Sequence, residues 1–459
     1  VRGGLRDPRR AGNMAAEEAD AGAAPATKDG KERVDYTELV ETATSEAEAL
    51  AGAGNLSGAL EVLLAAEKKT RLGLDSIATS KLAEVIVRVC WEARDLAALN
   101  AHILILSKRR AQLNNTVGAA VRKVMEFIDE IEAGEAQEGL IETLRTVTEG
   151  KIHVEVERAR LTMMLAKARE AEGNIKEASE ILQDVQVETF GSMEAHEKAK
   201  FILEQMRLTL AQRDFVRTQI ISNKIKRKTI DAEGFEEIKV RYFRLMVELH
   251  THQHEPLKLA KDFEAIYETS TIQADDAAWQ EALRNEALFL ALAPFDNEQN
   301  DFMLKLQEDR KLEELAAHAK LLKVLTTDLI VEWPLPNVSE AAELDAHLAA
   351  LGGDWAADLN KRVLQHNMRV VAKAYNKVRM GRLCQLLSFD DADEAQVAAC
   401  EALLSEMVSE KMIFARVDRP AGVVSFDKPQ DPSERLGAWS SDVEECLSLL
   451  ERTTHLINR

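Results

Sequence analysis

Apolar side chains return every third or fourth position through most of this chain. The pattern is interrupted at regular places by a small or acidic residue followed by an apolar one. These junctions are Asn55-Leu56, Asp95-Leu96, Glu135-Ala136, Asn174-Ile175, Asp214-Phe215 and Glu255-Pro256, at intervals of 40, 40, 39, 40 and 41 residues. After each junction one helical face returns, as in Leu56, Ala59, Leu60, Leu63, or Leu96, Leu99, Ile103, or Ile175, Ala178, Ile181, Leu182, or Phe215, Thr218, Ile221. Another apolar helix precedes each junction, for example Leu82, Val85, Ile86, Val89 and Leu203, Met206, Leu210. Each unit is therefore a helical pair. A period near 40 with two helices per unit predicts a mostly α protein built as a right-handed α-solenoid of helix pairs, TPR-like, in which neighbouring pairs supply the core that no single pair can make.

The array is predicted over residues 34–332, with a further break at "LAPFDNEQND", Leu292 to Asp301. Trp333 to Gly353 holds Pro334, Pro336 and the Gly352-Gly353 pair, so residues 333–358 read as a loop-rich variable spacer and a domain boundary. A second module is expected over 359–428. It opens with a helix from Leu359 to Val378, followed by shorter helices from Gly381 to Leu387 and from Asp393 to Lys411. The period then changes to two: "IFARVD", Ile413 to Asp418, and "GVVSF", Gly422 to Phe426, alternate around an "RPAG" turn and predict a small β-hairpin. Three helices and a two-stranded wing make a winged helix. The hairpin edge, with Ile413, Phe414, Val417, Val423 and Phe426, is a candidate for pairing with another chain, although the inward-facing side chains of Ile413 and Val417 are better suited to closing the module's own core.

The last 26 residues, 434–459, predict one long helix whose apolar positions Leu436, Trp439, Val443, Cys446, Leu450, Thr453 and Ile457 are spaced 3, 4, 3, 4, 3, 4. Such a seam packs helix against helix. It either folds back on the winged helix or leaves it for a multi-chain bundle, and the second reading is preferred.

Composition narrows the function. Ala, Glu, Leu and Lys dominate, aromatics are 5%, and only nine prolines interrupt 459 residues. The formal charge is -20, from 79 acidic against 59 basic residues, which disfavours a phosphate backbone as main partner. The predicted last helix of the winged module would be repelled by DNA, because it carries Asp393, Glu394, Glu401, Glu406 and Glu410 against Lys411. Cys90, Cys384, Cys400 and Cys446 form no CxxC pair, so neither a zinc ribbon nor a disulfide framework is expected and a reducing compartment fits. The longest apolar run, nine residues from Ala287 to Phe295, falls short of the roughly 20 a membrane helix needs. Residues 1–33 read as a disordered leader, with Met14 as the natural initiator.

Catalytic signatures do not assemble. "HTHQH", His250 to His254, is the one tempting cluster, but a metal-dependent deubiquitinase of the MPN type needs a serine where the spacing gives Asp262 or Ala260. Helical residues two apart point away from each other, so a solvated helix end before Pro256 is the expectation. No GxxxxGK[ST] loop and no GxSxG elbow occurs, and "KIKRK", Lys224 to Lys228, reads as a solvated basic face. No cofactor and no metal is expected.

Helical repeats ending in a winged helix and a trailing helix resemble the PCI family of scaffold subunits, found in the proteasome lid, the signalosome and a translation-initiation complex. "TLRTVTEGKIHVEVERARLT" (143–162), "LQDVQVETFGSM" (182–193), "FILEQMRL" (201–208), "RTQIISNKI" (217–225), "LAPFDNEQ" (292–299) and "TTHLI" (453–457) are similar to the proteasome-lid branch, and the likeness covers about Ala59 to Ile457. It departs in the leader, in Trp333 to Trp355, and in "SFDDADEAQ". The resemblance implies a non-catalytic role in ubiquitin-dependent proteolysis, in cytoplasm and nucleus, within a hetero-oligomer. It implies that Ile413 to Phe426 pairs with other PCI subunits, that Leu436 to Ile457 joins a helical bundle, and that Leu56 to Ile266 is an arm. Such arms reach an MPN deubiquitinase subunit, the ATPase ring and the core-particle alpha ring. A signalosome subunit is the alternative in the same class, and an enzyme or nucleic-acid binder the third reading.

Overall fold

The computed structural model describes residues 36–128, 130–131, 134–332, 338–352, 354–390, 393–427 and 432–458. The expected leader, 1–33, lies outside them. The described residues fall into two compact units, one up to residue 186 with 190–192, the other 187–189 with 193 onward.

The first unit is helical pairs throughout: α1 (Thr37–Gly52) with α2 (Leu56–Leu72), α3 (Ser76–Glu92) with α4 (Leu96–Lys108), α5 (Asn114–Ile128) with α6 (Glu135–Thr148), and α7 (Glu155–Ala171) with α8 (Ile175–Gln183). The junctions have a common chemistry. Gly54, Arg94 and Gly173 take positive φ of 81°, 57° and 88°, which turns the chain out of the first helix. The next residue then donates its N–H back to a carbonyl of that helix: Asn55 to Leu50 at 3.0 Å, Asp95 to Cys90 at 3.3 Å, Asn174 to Arg169 at 2.9 Å. Asn55 and Asp95 also start the following helix, their side chains accepting from the N–H of Gly58 (3.1 Å) and Ala98 (2.9 Å). Two residues thus end one helix and cap the next, which keeps the connections short and the repeat length nearly constant. At the third junction Gly134 is the cap, and Glu135, expected as the turn residue, is already helical.

Leu60, Leu63, Leu82, Ile86, Val89, Leu99 and Ile103 share one core with Val121, Leu140 and Leu161 from the later pairs. Each fully buried aliphatic side chain of this kind contributes about 1.5–3 kcal/mol. The core also encloses Glu67, which is held by Arg71 Nε at 3.1 Å and by Arg109, so the buried carboxylate is matched by two guanidinium groups.

The second unit continues with α9 (Ala195–Ala211) and α10 (Phe215–Ser222), the short α11 (Arg227–Ile230), α12 (Glu236–Gln253), α13 (Pro256–Tyr267), the short α14 (Ser270–Gln273), α15 (Asp276–Leu292), α16 (Asn297–Gln307) and α17 (Ala316–Thr326). The junction chemistry recurs: Arg213 and His254 have φ of 62° and 52°, and Asp214 and Glu255 donate back to Thr209 (3.0 Å) and His250 (3.3 Å). Thr218 Oγ1 bonds Thr209 Oγ1 at 3.0 Å, as Thr79 bonds Thr70 at 3.1 Å in the first unit, in each case across nine residues of helix turn helix.

The expected spacer is corrected. Trp333 to Asn337 lies outside the described residues, but Val338–Leu351 is a helix, α18, with Leu344 and Leu348 buried. Its segment "AAELDAHLAAL" is made of strong helix formers, and the flanking prolines and glycines hid it. One core runs from Phe243 through α15, α17 and α18 to Trp355, Leu359 and Val363, so no break in packing occurs at residue 333.

The C-terminal module starts on α19 (Trp355–Ala374), which ends four residues before the expected Val378, because Lys377–Arg379 is a strand, β1. Then come α20 (Met380–Leu386), α21 (Glu394–Ser409), β2 (Arg416–Asp418) and β3 (Val423–Ser425). The wing is therefore a three-stranded antiparallel sheet of order β1-β3-β2, not a hairpin alone. Val378, Val424 and Val417 stand in register across it and face Met368, Leu383, Cys400 and Leu404. The opposite face carries the row Arg379, Val423, Asp418. Gly422 closes the β2–β3 turn at φ 63°.

Candidate assembly surfaces

The final helix, α22 (Pro432–Ile457), is 26 residues long, about 39 Å. It has no buried residue. Leu436, Trp439, Val443, Cys446, Leu450 and Ile457 are all exposed, Trp439 at 66% and Ile457 at 79%. Leu447, also exposed, lies four residues after Val443 and widens the stripe, while Leu449 and Leu456, seven apart, make a second row. A strict three-four count missed these three leucines, although leucine content alone flags them. Exposed apolar area of this extent makes the helix a candidate surface for burial by another chain.

The wing offers a smaller surface. Among the described residues strands β1 and β2 are both edges, each paired only with β3. Phe414 is exposed at 37%, and Ile413, Val417 and Val423 are half-buried. Phe426 is corrected from interface to core: it is 8% exposed, on the same face as Val424. The acidic α21 is partly neutralised from within, Glu406 by Lys361 (2.6 Å) and Glu401 by the wing's Arg419 (2.5 Å). The one arginine of the turn is thus engaged by the helix that a nucleic acid would have to approach.

The three clustered histidines diverge, and the helix ends in solvent as expected, at Gln253 with His252 and His254 exposed; His250 is the exception. His250 is buried with Nδ1 2.5 Å from Asp262 Oδ2, His252 stacks on Phe215, and His254 turns the chain at positive φ beside Trp355. Burial holds the Asp262 carboxyl above the usual range, opposed by its bond to His250. Among the described residues no group of three or more His, Cys, Asp or Glu is placed to hold a metal ion. Burial, reinforced by Asp95, pushes the Cys90 thiol up to about 11, and burial with the neighbouring Cys384 pushes Cys400 up to about 12, so neither supplies a thiolate near neutrality.

A histidine chain, buried at Asn285 and His318 and half-buried at His347, links three helices. His347 Nε2 donates to Asn285 Oδ1 (3.0 Å), leaving His347 Nδ1 to accept from His318 Nε2 (3.1 Å). Burial first, then His347 and Arg284, push His318 down to about 4. An unfolded histidine titrates near 6.5, so between that pH and about 4 the unfolded chain binds more protons and stability falls as the pH falls. Urea midpoints measured across this window are expected to drop less for His318→Gln than for the natural chain. Equal slopes would remove His318 from the acid response.

Stacked helix pairs, a three-stranded wing and an unburied terminal helix define a helical-repeat PCI-domain protein. The model of the PCI domain matches residues 339–428, thereby including α18; that of the PSMD12/CSN4 N-terminal region matches 58–275, and that of the 26S proteasome regulatory subunit RPN5 C-terminal domain matches 434–459. The 26S proteasome non-ATPase regulatory subunit 12 of Dictyostelium discoideum is 37% identical over 435 residues, 94% of this chain and 96% of that protein. The 26S proteasome regulatory subunit RPN5 of Saccharomyces cerevisiae is 36% identical over 432 residues, 93% and 95% of the two chains. Homolog B of subunit 12 in Arabidopsis thaliana is 37% identical over 431 residues, 88% and 96%. The chain belongs to the family of 26S proteasome non-ATPase regulatory subunit 12. The signalosome alternative is not favoured, since these near full-length relatives are proteasome subunits.

Proposed function

We propose that this chain is a non-catalytic scaffold subunit of the proteasome regulatory-particle lid, serving ubiquitin-dependent degradation in the cytoplasm and nucleus. The observation that carries this reading is α22, a long helix with an apolar stripe and no buried residue, in the segment that matches the RPN5 C-terminal family. In this reading Leu436, Trp439, Val443, Cys446, Leu450 and Ile457 enter a bundle of terminal helices. Ile413, Phe414, Val417 and Val423 lie at the wing that meets another PCI subunit. The helical pairs reach towards an MPN deubiquitinase subunit, the ATPase ring and the core-particle alpha ring. None of these contacts requires a reacting group on this chain.

The test is a native purification through a tag on this chain, with the bound proteins identified by mass spectrometry. Other PCI subunits, the deubiquitinase subunit and ATPase-ring subunits are expected together. Recovery of the chain alone, or with PCI partners but without any ATPase, would sink the reading. So would a substrate turned over by the purified chain.

A further inference from the structure

The second unit contains an acidic cleft of about 310 Å³ between α13, α15 and α16. Glu264 and Tyr267 come from α13, Glu286 from α15, Phe302 and Lys305 from α16, and Glu268, Glu308 and Asp309 from the residues that follow α13 and α16. Five carboxylates therefore line the cleft with one ammonium group, Lys305, while two more lie over its aromatic walls, Lys261 Nζ at 5.6 Å from the Phe302 ring centre and Lys311 Nζ at 5.7 Å from that of Tyr267. Lys305 pairs with Glu264 and lies 3.8 Å from Glu268. Asp309 is engaged as a wall, its Oδ2 accepting from the Tyr267 hydroxyl at 2.5 Å and its Oδ1 from the Lys311 N–H at 3.0 Å.

Glu286 lines this cleft and is 5% exposed, yet its Oε2 has no hydrogen-bond partner among the described residues. A buried polar atom without a partner is destabilising by about 1–3 kcal/mol, so a donor that reaches it is favoured. Burial first, then the negative charge of Glu264, pushes its carboxyl up to about 8, with Glu268 and Asp309 adding to the effect and Lys305 opposing it. The group is thus a neutral acid near pH 7 that a cation can ionise.

The walls choose among cations. No three acidic side chains here converge closely enough to hold a metal ion, consistent with carboxylates dispersed over α13, α15 and the segments that follow α13 and α16. Phe302 already draws two ammonium groups, Lys261 at 5.6 Å and Lys305 at 5.9 Å from its ring centre. A planar guanidinium reaches separated carboxylates with its fork of donors and stacks on an aromatic face, which a point charge does less well. The exposed rim, Glu268 and Glu308, leaves the cleft accessible from solvent.

We propose that this cleft receives an arginine side chain of a partner polypeptide, with Glu286 as the acceptor at its floor. The inference is independent of the lid reading, because the test uses the full-length chain by itself. Calorimetric titration with N-acetyl-arginine-N-methylamide is expected to give saturable binding, and the neutral, isosteric capped citrulline none. Free arginine is expected to bind more weakly than the capped form, since its own carboxylate is repelled. Affinity should rise between about pH 7 and about pH 9 as Glu286 ionises.

Two variants move the affinity in opposite directions. Glu286→Gln keeps the shape of the neutral acid and is expected to weaken binding about tenfold or more, with its melting temperature confirming the fold. Lys305→Met removes the resident competitor for Glu264 and is expected to tighten it. No binding of the capped arginine overturns the proposal. Unchanged affinity in both variants, or displacement of the probe by calcium or magnesium, overturns it equally.

Discussion

A chain lacking residues 434–459 is expected to melt at the same temperature as the full-length protein and to be absent from purified regulatory particles. The first half follows from burial: no residue of α22 is buried, so its removal opens no cavity and exposes no core. The second follows from the apolar stripe, whose residues are the ones available for burial by other chains. Full burial of Leu436, Trp439, Leu450 and Ile457 contributes about 1.5–3 kcal/mol each before the entropy of association is subtracted, so losing them together moves the assembly equilibrium by orders of magnitude. Thermal denaturation and co-purification with a tagged neighbouring subunit measure the two halves separately. A truncated chain that still enters complete particles would show that the wing and the helical pairs suffice. One that melts markedly lower would show that α22 packs on its own domain after all.

The array was readable because its punctuation is chemical and local. An αL residue followed by Asn or Asp leaves a two-letter mark at four of the six junctions, those ending in Asn55, Asp95, Asn174 and Asp214, and the mark at Asp214 predicts a cap that Arg217 N–H then satisfies at 3.1 Å. The terminal stripe was readable for the same reason, since its spacing is a property of one helix. What stayed hidden depends on distant pairing. In "KVR", Lys377 to Arg379, a single valine offers no alternation, and it is a strand only because Val378 sits opposite Val424. Alternation in "GVVSF" places Val424 and Phe426 together, but does not say which face is inward; the helices beneath decide that, and they take Phe426. Glu286 was the hardest to see. In a chain so rich in glutamate it reads as one more solvated residue, and its burial follows from α15 being covered on nearly every side.

That same burial makes Phe289→Ala the substitution with the largest expected loss of stability. Phe289 is 2% exposed, its ring stacks on Phe263 at 5.7 Å and meets Trp355 edge to face at 5.5 Å. Trp355 opens α19, so this aromatic cluster ties the helical pairs of the second unit to the module that carries the wing. Deleting the ring removes its transfer energy and leaves a cavity that residues Ala287 to Leu292, all buried, cannot readily collapse into, for a total of about 3–5 kcal/mol. Phe289→Leu keeps most of the volume and is expected to lose well under half as much. Urea unfolding followed by tryptophan fluorescence includes the signals of Trp279 and Trp355, two of the chain's five tryptophans, which both belong to this core. A midpoint for Phe289→Ala equal to that of the natural chain would mean that the core does not depend on the ring. If the loss appears as expected, the variant should also fall out of the particle for a reason opposite to that of the truncation. Its terminal stripe is intact, but the module presenting it is no longer held in place.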